Sequence, residues 1–210
     1  MTPFTTAARR ILGCALAGAM LIAPAFAFPA NEKPQTKATA AAGPSQDEMM
    51  AQYMKYSNPG ADHEMLKQFA GSWKTVTKAW MGPGEPQVSQ GMADKTVILG
   101  GRFLKEEYNG IFMGEPFSGV GLTGYDMLKK EYIGNWVDTM GTGQMIMKGK
   151  ADASGKALAW TATAPDPMTM KDKQYRMITK IVDNNTHTFS FMEMVEGKEV
   201  TTMEITYTRK

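Results

Sequence analysis

Methionine is frequent in this chain: 17 of its 19 methionines follow residue 27, and three pairs of them are spaced two residues apart. The pairs are Met145/Met147, Met168/Met170 and Met192/Met194. Residues two apart share one face of a β-strand, so the first and third pairs each present two thioethers side by side. Thioethers select Cu(I), which makes Met192 and Met194 a candidate copper site, but methionines also suit the lining of an adaptable apolar cavity. We favour the cavity, because the chain offers few other ligands to complete a copper site.

Glu106 and Asp138 are the carboxylates best placed for chemistry, since each lies two residues from an aromatic residue of the same predicted strand. A carboxylate that faces a closed apolar interior has a raised pKa and can act as a general acid or base. A buried ion pair with Arg102 or Arg176 explains the same residues equally well. An enzyme that uses an interior carboxylate is therefore an open alternative, although the sequence names no substrate and contains no Gly-x-Ser-x-Gly elbow.

His63 and His187 are the two histidines of the chain. His63 falls on the predicted helix that precedes the strands, and His187 follows a tight turn, so we predict that both are solvated surface groups. A zinc site needs three or four ligands at usable spacing, and a haem-binding barrel needs an axial histidine inside. Neither pattern is present, and we expect no cofactor.

The first 27 residues have the pattern of a signal peptide. Arg9 and Arg10 form a basic start, Ile11–Phe26 is almost wholly apolar, and an Ala-Phe-Ala sequence predicts cleavage between Ala27 and Phe28. The apolar run is too short for a convincing membrane span, which needs about 20 apolar residues. We therefore expect an exported protein, periplasmic or secreted, without stable membrane insertion after cleavage.

Cleavage at this point changes the charge and the cysteine content of the chain. Removing Arg9 and Arg10 from the 23 Lys and Arg leaves 21, which equals the 21 Asp and Glu. A neutral chain without a basic block gives no electrostatic reason to bind nucleic acid or an anionic membrane surface. Cys14, the single cysteine, also leaves, so the mature chain has no disulfide, thiol nucleophile or thiolate metal site.

Three segments follow the signal peptide. Residues 28–44 are rich in Ala, Pro, Thr and Lys without an apolar period, and they predict a disordered tether. Residues 45–70 predict two short helices, the first of which begins at the capping-box sequence Ser45–Glu48. Residues 71–210 predict the folded domain.

Within that domain, ten stretches bounded by Gly, Pro or Asn turn residues predict ten strands joined by hairpins. The predicted strands are residues 72–81, 87–98, 101–111, 117–125, 130–138, 143–151, 157–164, 173–183, 186–195 and 199–209. No stretch has a helical period long enough for a crossover helix, which favours antiparallel strands in sequential order. The predicted fold is all-β, a single up-and-down antiparallel barrel of about ten strands, with the short N-terminal helical segment plugging one end. A two-sheet sandwich is the alternative.

Trp73 and Arg209 lie on the first and last predicted strands, which become neighbours when such a barrel closes. An Arg side chain over an indole face forms a cation–π pair worth about 0.5–2 kcal/mol. We predict that these two residues form a structural closure pair rather than a ligand contact, because they lie at the two extremities of the domain.

A closed barrel of this size encloses a cavity, and we expect it to bind a small apolar or amphipathic molecule without transforming it. Strand parity selects the candidate lining residues, and the charged ones among them are candidate polar anchors. These candidates are Trp73, Arg102, Glu106, Tyr125, Trp136, Asp138, Met145, Met147, Trp160, Arg176, Met192, Met194 and Met203.

Six short motifs, in this order, resemble a bacterial family known as domain of unknown function 1579. They are Gly71-Ser72-Trp73, Leu99-Gly100-Gly101-Arg102-Phe103-Leu104, Pro116-Phe117-Ser118-Gly119, Gly124-Tyr125-Asp126, Trp136-Val137-Asp138-Thr139-Met140-Gly141-Thr142 and Tyr207-Thr208-Arg209. The resemblance covers about residues 61–209. It implies a lipocalin-like (calycin) barrel and no established activity.

Overall fold

The structure, a computed structural model, describes residues 43–166 and 168–210. The predicted signal peptide, with its cleavage point between Ala27 and Phe28, and nearly all of the predicted tether lie outside the described residues. In the part of the chain that is described, no helix combines the length and the apolar character needed to cross a membrane.

Ten antiparallel strands among the described residues close into one barrel. Each strand pairs with its neighbours in sequence, and β10 pairs back to β1, which confirms the predicted fold class. Sequential antiparallel strands need only short connections, which is why the hairpin turns in the sequence predicted this order. The strands are β1 (Gly71–Ala79), β2 (Gln87–Ile98), β3 (Phe103–Phe112), β4 (Glu115–Asp126), β5 (Glu131–Asp138), β6 (Met145–Ala151), β7 (Ala157–Asp166), β8 (Lys171–Asp183), β9 (Thr186–Val195) and β10 (Lys198–Arg209).

Side chains alternate between the interior of the barrel and its outer surface along each strand. On β1, every second residue from Trp73 to Ala79 is buried, and the residues between them are exposed. The buried apolar residues fall into two clusters, one of which includes Trp160 and Met177 and the other Trp73 and Tyr108. The interior is therefore packed with large side chains, many of them aromatic.

Trp73 and Arg209 face each other across the seam between β1 and β10. Arg209 Cζ lies 4.1 Å from the centroid of the Trp73 ring. The guanidinium also donates hydrogen bonds to the backbone carbonyls of Gln68, Ala70 and Asn184 at 3.1, 2.8 and 3.1 Å. Arg209 thus joins the seam to the segment that precedes β1 and to the turn between β8 and β9.

Two α-helices precede the barrel among the described residues. α1 (Gln46–Ser57) begins with the predicted capping box of Ser45 and Glu48 but has no buried residue, so its apolar side chains are exposed. α2 (Ala61–Lys67) buries Met65 and Leu66 in the core cluster, and it contacts β3 and β4. We call the end covered by α2, where β1 begins and β10 ends, the plugged end, and the opposite end the open end.

Candidate ligand-binding site

The inner face of the barrel near the open end carries apolar side chains that are only partly buried. They are Phe117, Trp136, Met145, Met147, Phe191 and Met203. Deeper inner residues such as Tyr108 and Met177 are buried. No helix of the described residues packs against this end, so it presents an aromatic and thioether lining to solvent.

Trp136 is held in place by two glycines on the neighbouring strand β4. A Cβ atom on Gly119 would lie 2.1 Å from Trp136 Cζ2, and a Cβ atom on Gly121 would lie 3.1 Å from its Cε3. Glycine at position 119 therefore leaves the space that the indole occupies. Trp136 Nε1 donates a hydrogen bond to Asp138 Oδ2 at 2.7 Å, and together these contacts give the open end one rigid aromatic wall.

The charged inner residues near the open end are paired. Asp138 accepts from Trp136 through one oxygen, and its Oδ1 accepts from the backbone N–H of Met140 at 2.9 Å. Lys173 on β8 and Glu193 on β9 form an ion pair, and the hydrogen bond from Lys173 to Glu193 raises the pKa of the lysine. These groups supply polarity at the edge of an otherwise apolar surface.

Exposed methionines surround the open end. Among the described residues, each of the five hairpin connections there contains, or lies within two residues of, a methionine whose exposed fraction is between 50% and 89%. At the plugged end, the exposed large apolar residues of the connections are leucines, Leu99 and Leu128. We call the methionines of the open end the rim methionines: Met81, Met113, Met140, Met168, Met170 and Met194.

Most of the predicted lining residues lie on the inner face, but they do not form one cluster. Trp136 and Met145 are cross-strand neighbours at the open end. Tyr125 and Trp160 lie deeper, packed with residues of α2 in the first core cluster. The inner candidates are Trp73, Glu106, Tyr125, Trp136, Asp138, Met145, Met147, Trp160 and Met203.

Four predicted lining residues do not face the interior. Arg102 lies in the connection between β2 and β3 and donates to the carbonyl of Leu99 at 3.1 Å. Arg176 is exposed and forms an ion pair with Glu199 at 3.0 Å. Met192 lies opposite Arg176 on the outer face, and Met194 shares that face. Alternation misassigned Met192 and Met194 because both faces of β9 carry apolar side chains.

The outer position of Met192 and Met194 also bears on the copper hypothesis. Their cross-strand neighbours are Arg176, Thr201 and Glu199, none of which is a soft ligand. The described residues contain no group of three His, Cys, Asp or Glu side chains arranged to hold a metal ion.

Glu106, a predicted lining residue, belongs to a buried polar cluster whose other members were not predicted to lie inside the barrel: Lys95, His187 and Tyr207. Lys95 Nζ lies 3.2 Å from Glu106 Oε2 and 3.1 Å from His187 Nε2, and it sits 4.0 Å from the centroid of the Tyr207 ring. The Tyr207 hydroxyl donates to Glu106 Oε1 at 3.2 Å, and the His187 ring stacks on Tyr207 at 4.2 Å. Glu106 is therefore paired with a lysine, not with the arginines considered from the sequence.

Burial controls the charges of this cluster. Burial lowers the pKa of Lys95, and the nearby Glu106 carboxylate partly offsets this shift by favouring the charged ammonium. Burial also lowers the pKa of His187 to about 2, with a further contribution from the Lys95 and Arg209 charges, and it raises the pKa of Tyr207. His187 and Tyr207 are therefore neutral at physiological pH, beside an ion pair of Lys95 and Glu106.

Both histidines are buried, which corrects the prediction that they are solvated: the exposed fractions are 4% for His63 and 2% for His187. His63 Nδ1 accepts from the backbone N–H of Gly60 at 3.0 Å, and its ring lies nearly perpendicular to the ring of Tyr125. The sequence contains one signal that could have placed His187 inside the barrel. A barrel closed by Trp73 and Arg209 puts Tyr207 inside, and the cross-strand partner of Tyr207 is His187.

Comparisons with known proteins identify the fold and the family. Two solved structures are similar, each at 13% identity. One is a redesigned β-barrel, for which the match covers 70% of this chain and 95% of that chain with a TM-score of 0.37. The other is Rv2717c from M. tuberculosis, for which the match covers 73% of this chain and 99% of that chain with a TM-score of 0.55. No curated protein matches the chain. A family model described as "Protein of unknown function (DUF1579)" matches residues 58–209, and the chain therefore belongs to this family.

Proposed function

We propose that this protein is an exported barrel that binds a small apolar or amphipathic molecule at its open end without transforming it. The observation that carries the proposal is the partly exposed lining of Trp136, Met145, Met147 and their neighbours at an end that no described helix covers. An apolar molecule that covers this lining removes apolar surface from water, which contributes about 25 cal/mol per Å².

The composition of the lining favours a ligand of adaptable shape. Methionine is flexible and polarizable, so Met145, Met147 and Met203 can adjust to different apolar bodies. Trp136 is fixed by Gly119 and Asp138, and it offers a flat face against which a ring or a chain packs. The polar part of an amphipathic ligand would remain near the Lys173–Glu193 pair at the edge of the opening.

The two carboxylates considered for catalysis are engaged in structural contacts. Glu106 binds Lys95 through one oxygen and Tyr207 through the other. Asp138 binds Trp136 and the backbone of Met140. A general acid or base must reach a proton of the substrate. Both oxygens of each carboxylate are already engaged by groups of the protein. These contacts support binding over catalysis.

Export rests on the sequence of the first 27 residues. It is tested by N-terminal sequencing of the protein recovered from the periplasm or the medium of its own host. We expect a chain that begins at Phe28, and recovery of the uncleaved chain from the cytoplasm would contradict export.

Ligand binding is tested by native mass spectrometry of the protein purified from its own host, followed by titration with a long-chain fatty acid and a hydrophobic dye. We expect a co-purified mass or saturable binding of a probe. Met145→Gln should weaken probe binding by roughly fivefold to thirtyfold, because it replaces an apolar group of the lining with an amide. A protein that carries no ligand and ignores both probes contradicts the proposal.

Ile146→Gln is the matched control for Met145→Gln. Ile146 lies on the same strand but is exposed on the outer face, so this change should leave probe binding unaltered. Equal losses in the two variants would show that probes bind outside the barrel.

A further inference from the structure

A cavity of about 280 Å³ lies at the plugged end, separate from the lining at the open end. Phe69, Trp73, Ile181 and His187 are among its walls, and Lys67 and Arg209 also line it. A second cavity, of about 310 Å³, lies on the outer surface of β5, β6 and β7. The cavity at the plugged end is the more informative of the two, because it touches the buried polar cluster through His187.

The hydrogen bonds of His187 determine which of its ring nitrogens carries the proton. An ammonium group can only donate, so the contact of 3.1 Å between Lys95 Nζ and His187 Nε2 makes Nε2 the acceptor. The proton of the neutral ring therefore lies on Nδ1. This nitrogen is buried and has no hydrogen-bond partner among the described residues, which is unfavourable for a donor removed from water.

Further donors line the same cavity. Arg209 carries five N–H groups and uses three of them for the carbonyls of Gln68, Ala70 and Asn184. Asp183 is the one carboxylate in the lining, and its Oδ1 already accepts from the backbone N–H of Asn185 at 2.7 Å. The walls thus combine an excess of donors with the apolar surfaces of Phe69, Trp73 and Ile181.

We propose that this cavity is a second binding site, which takes a small carboxylate with an apolar body. The carboxylate accepts from the remaining N–H groups of Arg209 and, after a local side-chain movement that opens the buried Nδ1 to the cavity, from His187 Nδ1–H. The apolar body packs against Phe69, Trp73 and Ile181. Charge-assisted hydrogen bonds of this kind are stronger than neutral ones. The site is independent of the ligand proposed for the open end.

Sodium benzoate is a suitable probe, with benzyl alcohol as a neutral probe of similar size. In protein labelled with ¹⁵N-histidine, we expect a protonated Nδ1 at His187 whose resonance shifts saturably with benzoate. Benzyl alcohol should bind about tenfold more weakly or worse, since it lacks the charge. An Nε2–H tautomer, or a His187 resonance that benzoate does not move, would overturn the proposal.

Two variants separate the site from its surroundings. His187→Phe keeps the stacking on Tyr207 but removes the donor, and it should abolish benzoate binding. The His187→Phe change also removes an acceptor from Lys95, so a second variant is needed as an independent test. Ile181→Phe fills the cavity without changing a hydrogen bond and should weaken benzoate binding about tenfold or more.

The control is Val182→Phe, which adds a ring at the next residue of β8, where the side chain is exposed on the outer face. It should bind benzoate as the wild type does. Wild-type affinity in Ile181→Phe, or equal losses in Ile181→Phe and Val182→Phe, would overturn the assignment of the site to this cavity.

Discussion

Lys95 is a buried positive charge, and its three neighbours explain why the barrel tolerates it. Burying an ammonium group costs several kcal/mol of hydration free energy. The carboxylate of Glu106, the Nε2 lone pair of His187 and the ring face of Tyr207 each compensate part of that cost. Removal of one partner leaves a buried charge with fewer contacts, so we regard the four residues as one structural unit.

His187 should make the barrel less stable in acid. Its folded-state pKa of about 2 lies far below the ordinary value of 6.5, so below pH 6.5 the unfolded chain binds a proton that the folded chain does not. The free energy of unfolding therefore decreases as the pH is lowered from 6.5 towards 2, by up to about 1.4 kcal/mol per pH unit. Urea melts of the wild type at pH 7 and pH 4.5 measure this loss.

His187→Gln is the variant for comparison, because the glutamine oxygen can still accept from Lys95 but does not titrate. Its loss of stability between pH 7 and pH 4.5 should be smaller than that of the wild type. The same pH dependence in both proteins would assign the acid sensitivity to other groups.

Arg209→Ala tests whether Arg209 holds the seam together. The change removes the cation–π contact with Trp73 and three hydrogen bonds to backbone carbonyls, so we expect the free energy of unfolding to fall by about 2–3 kcal/mol. Probe affinity at the open end should be unchanged in the variant that remains folded. Denaturant melts and probe titrations measure the two effects.

Arg176→Ala is the matched control, since Arg176 makes one exposed ion pair with Glu199. An exposed pair contributes roughly 0–1 kcal/mol, so this variant should melt close to the wild type. Similar melting of Arg209→Ala and the wild type would mean that the seam does not depend on Arg209.

At the scale of the elements, the number and order of the strands could be predicted because the turns are encoded locally. Asn184-Asn185 and Gly197-Lys198, for example, connect strands whose observed limits lie within two residues of the predicted ones. The helices were only partly predictable. The capping box located the start of α1, but its apolar spacing did not indicate that these side chains stay exposed.

The inner face of a strand could be predicted only where one parity is clearly more apolar. On β9, Phe189 and Phe191 point inward while Met192 and Met194 point outward, and the sequence gives no preference between the two sets. Lys95 is difficult to place for a different reason, because it is a charged residue that faces the interior. A charged residue on the inner parity of β2 looks like a surface position, and only the register with Glu106 reveals its partner.

Gly119→Ala tests the packing between β4 and β5. The new methyl group would lie 2.1 Å from Trp136 Cζ2, so the indole must move, and its hydrogen bond to Asp138 is lost. We expect a destabilisation of about 1–3 kcal/mol, a changed near-ultraviolet circular dichroism signal and weaker probe binding. Gly143→Ala is the control, because nothing lies within 4 Å of its added Cβ; equal behaviour of the two variants would contradict the tight seating of Trp136.

At the scale of the whole molecule, the two ends of the barrel differ in chemistry. The plugged end is covered by α2 and fixed by Arg209. The open end is bordered by the rim methionines and lined by aromatic and thioether side chains. An apolar molecule that approaches the open end meets flexible thioethers before it meets the rigid face of Trp136.

Oxidation by dilute hydrogen peroxide distinguishes the three environments of methionine in this molecule. Met168 and Met170, which are 89% and 85% exposed, should form sulfoxides first, and Met177, which is 1% exposed, should form its sulfoxide last. Met145 and Met147 lie between these extremes because the open end admits the oxidant.

A molecule bound at the open end excludes peroxide from Met145 and Met147 but leaves Met168 accessible. Peptide mass spectrometry with and without a bound probe should therefore show slower oxidation of Met145 and Met147 and an unchanged rate at Met168. Equal slowing at all three residues would mean that the probe covers the rim or stabilises the protein generally, rather than occupying the open end.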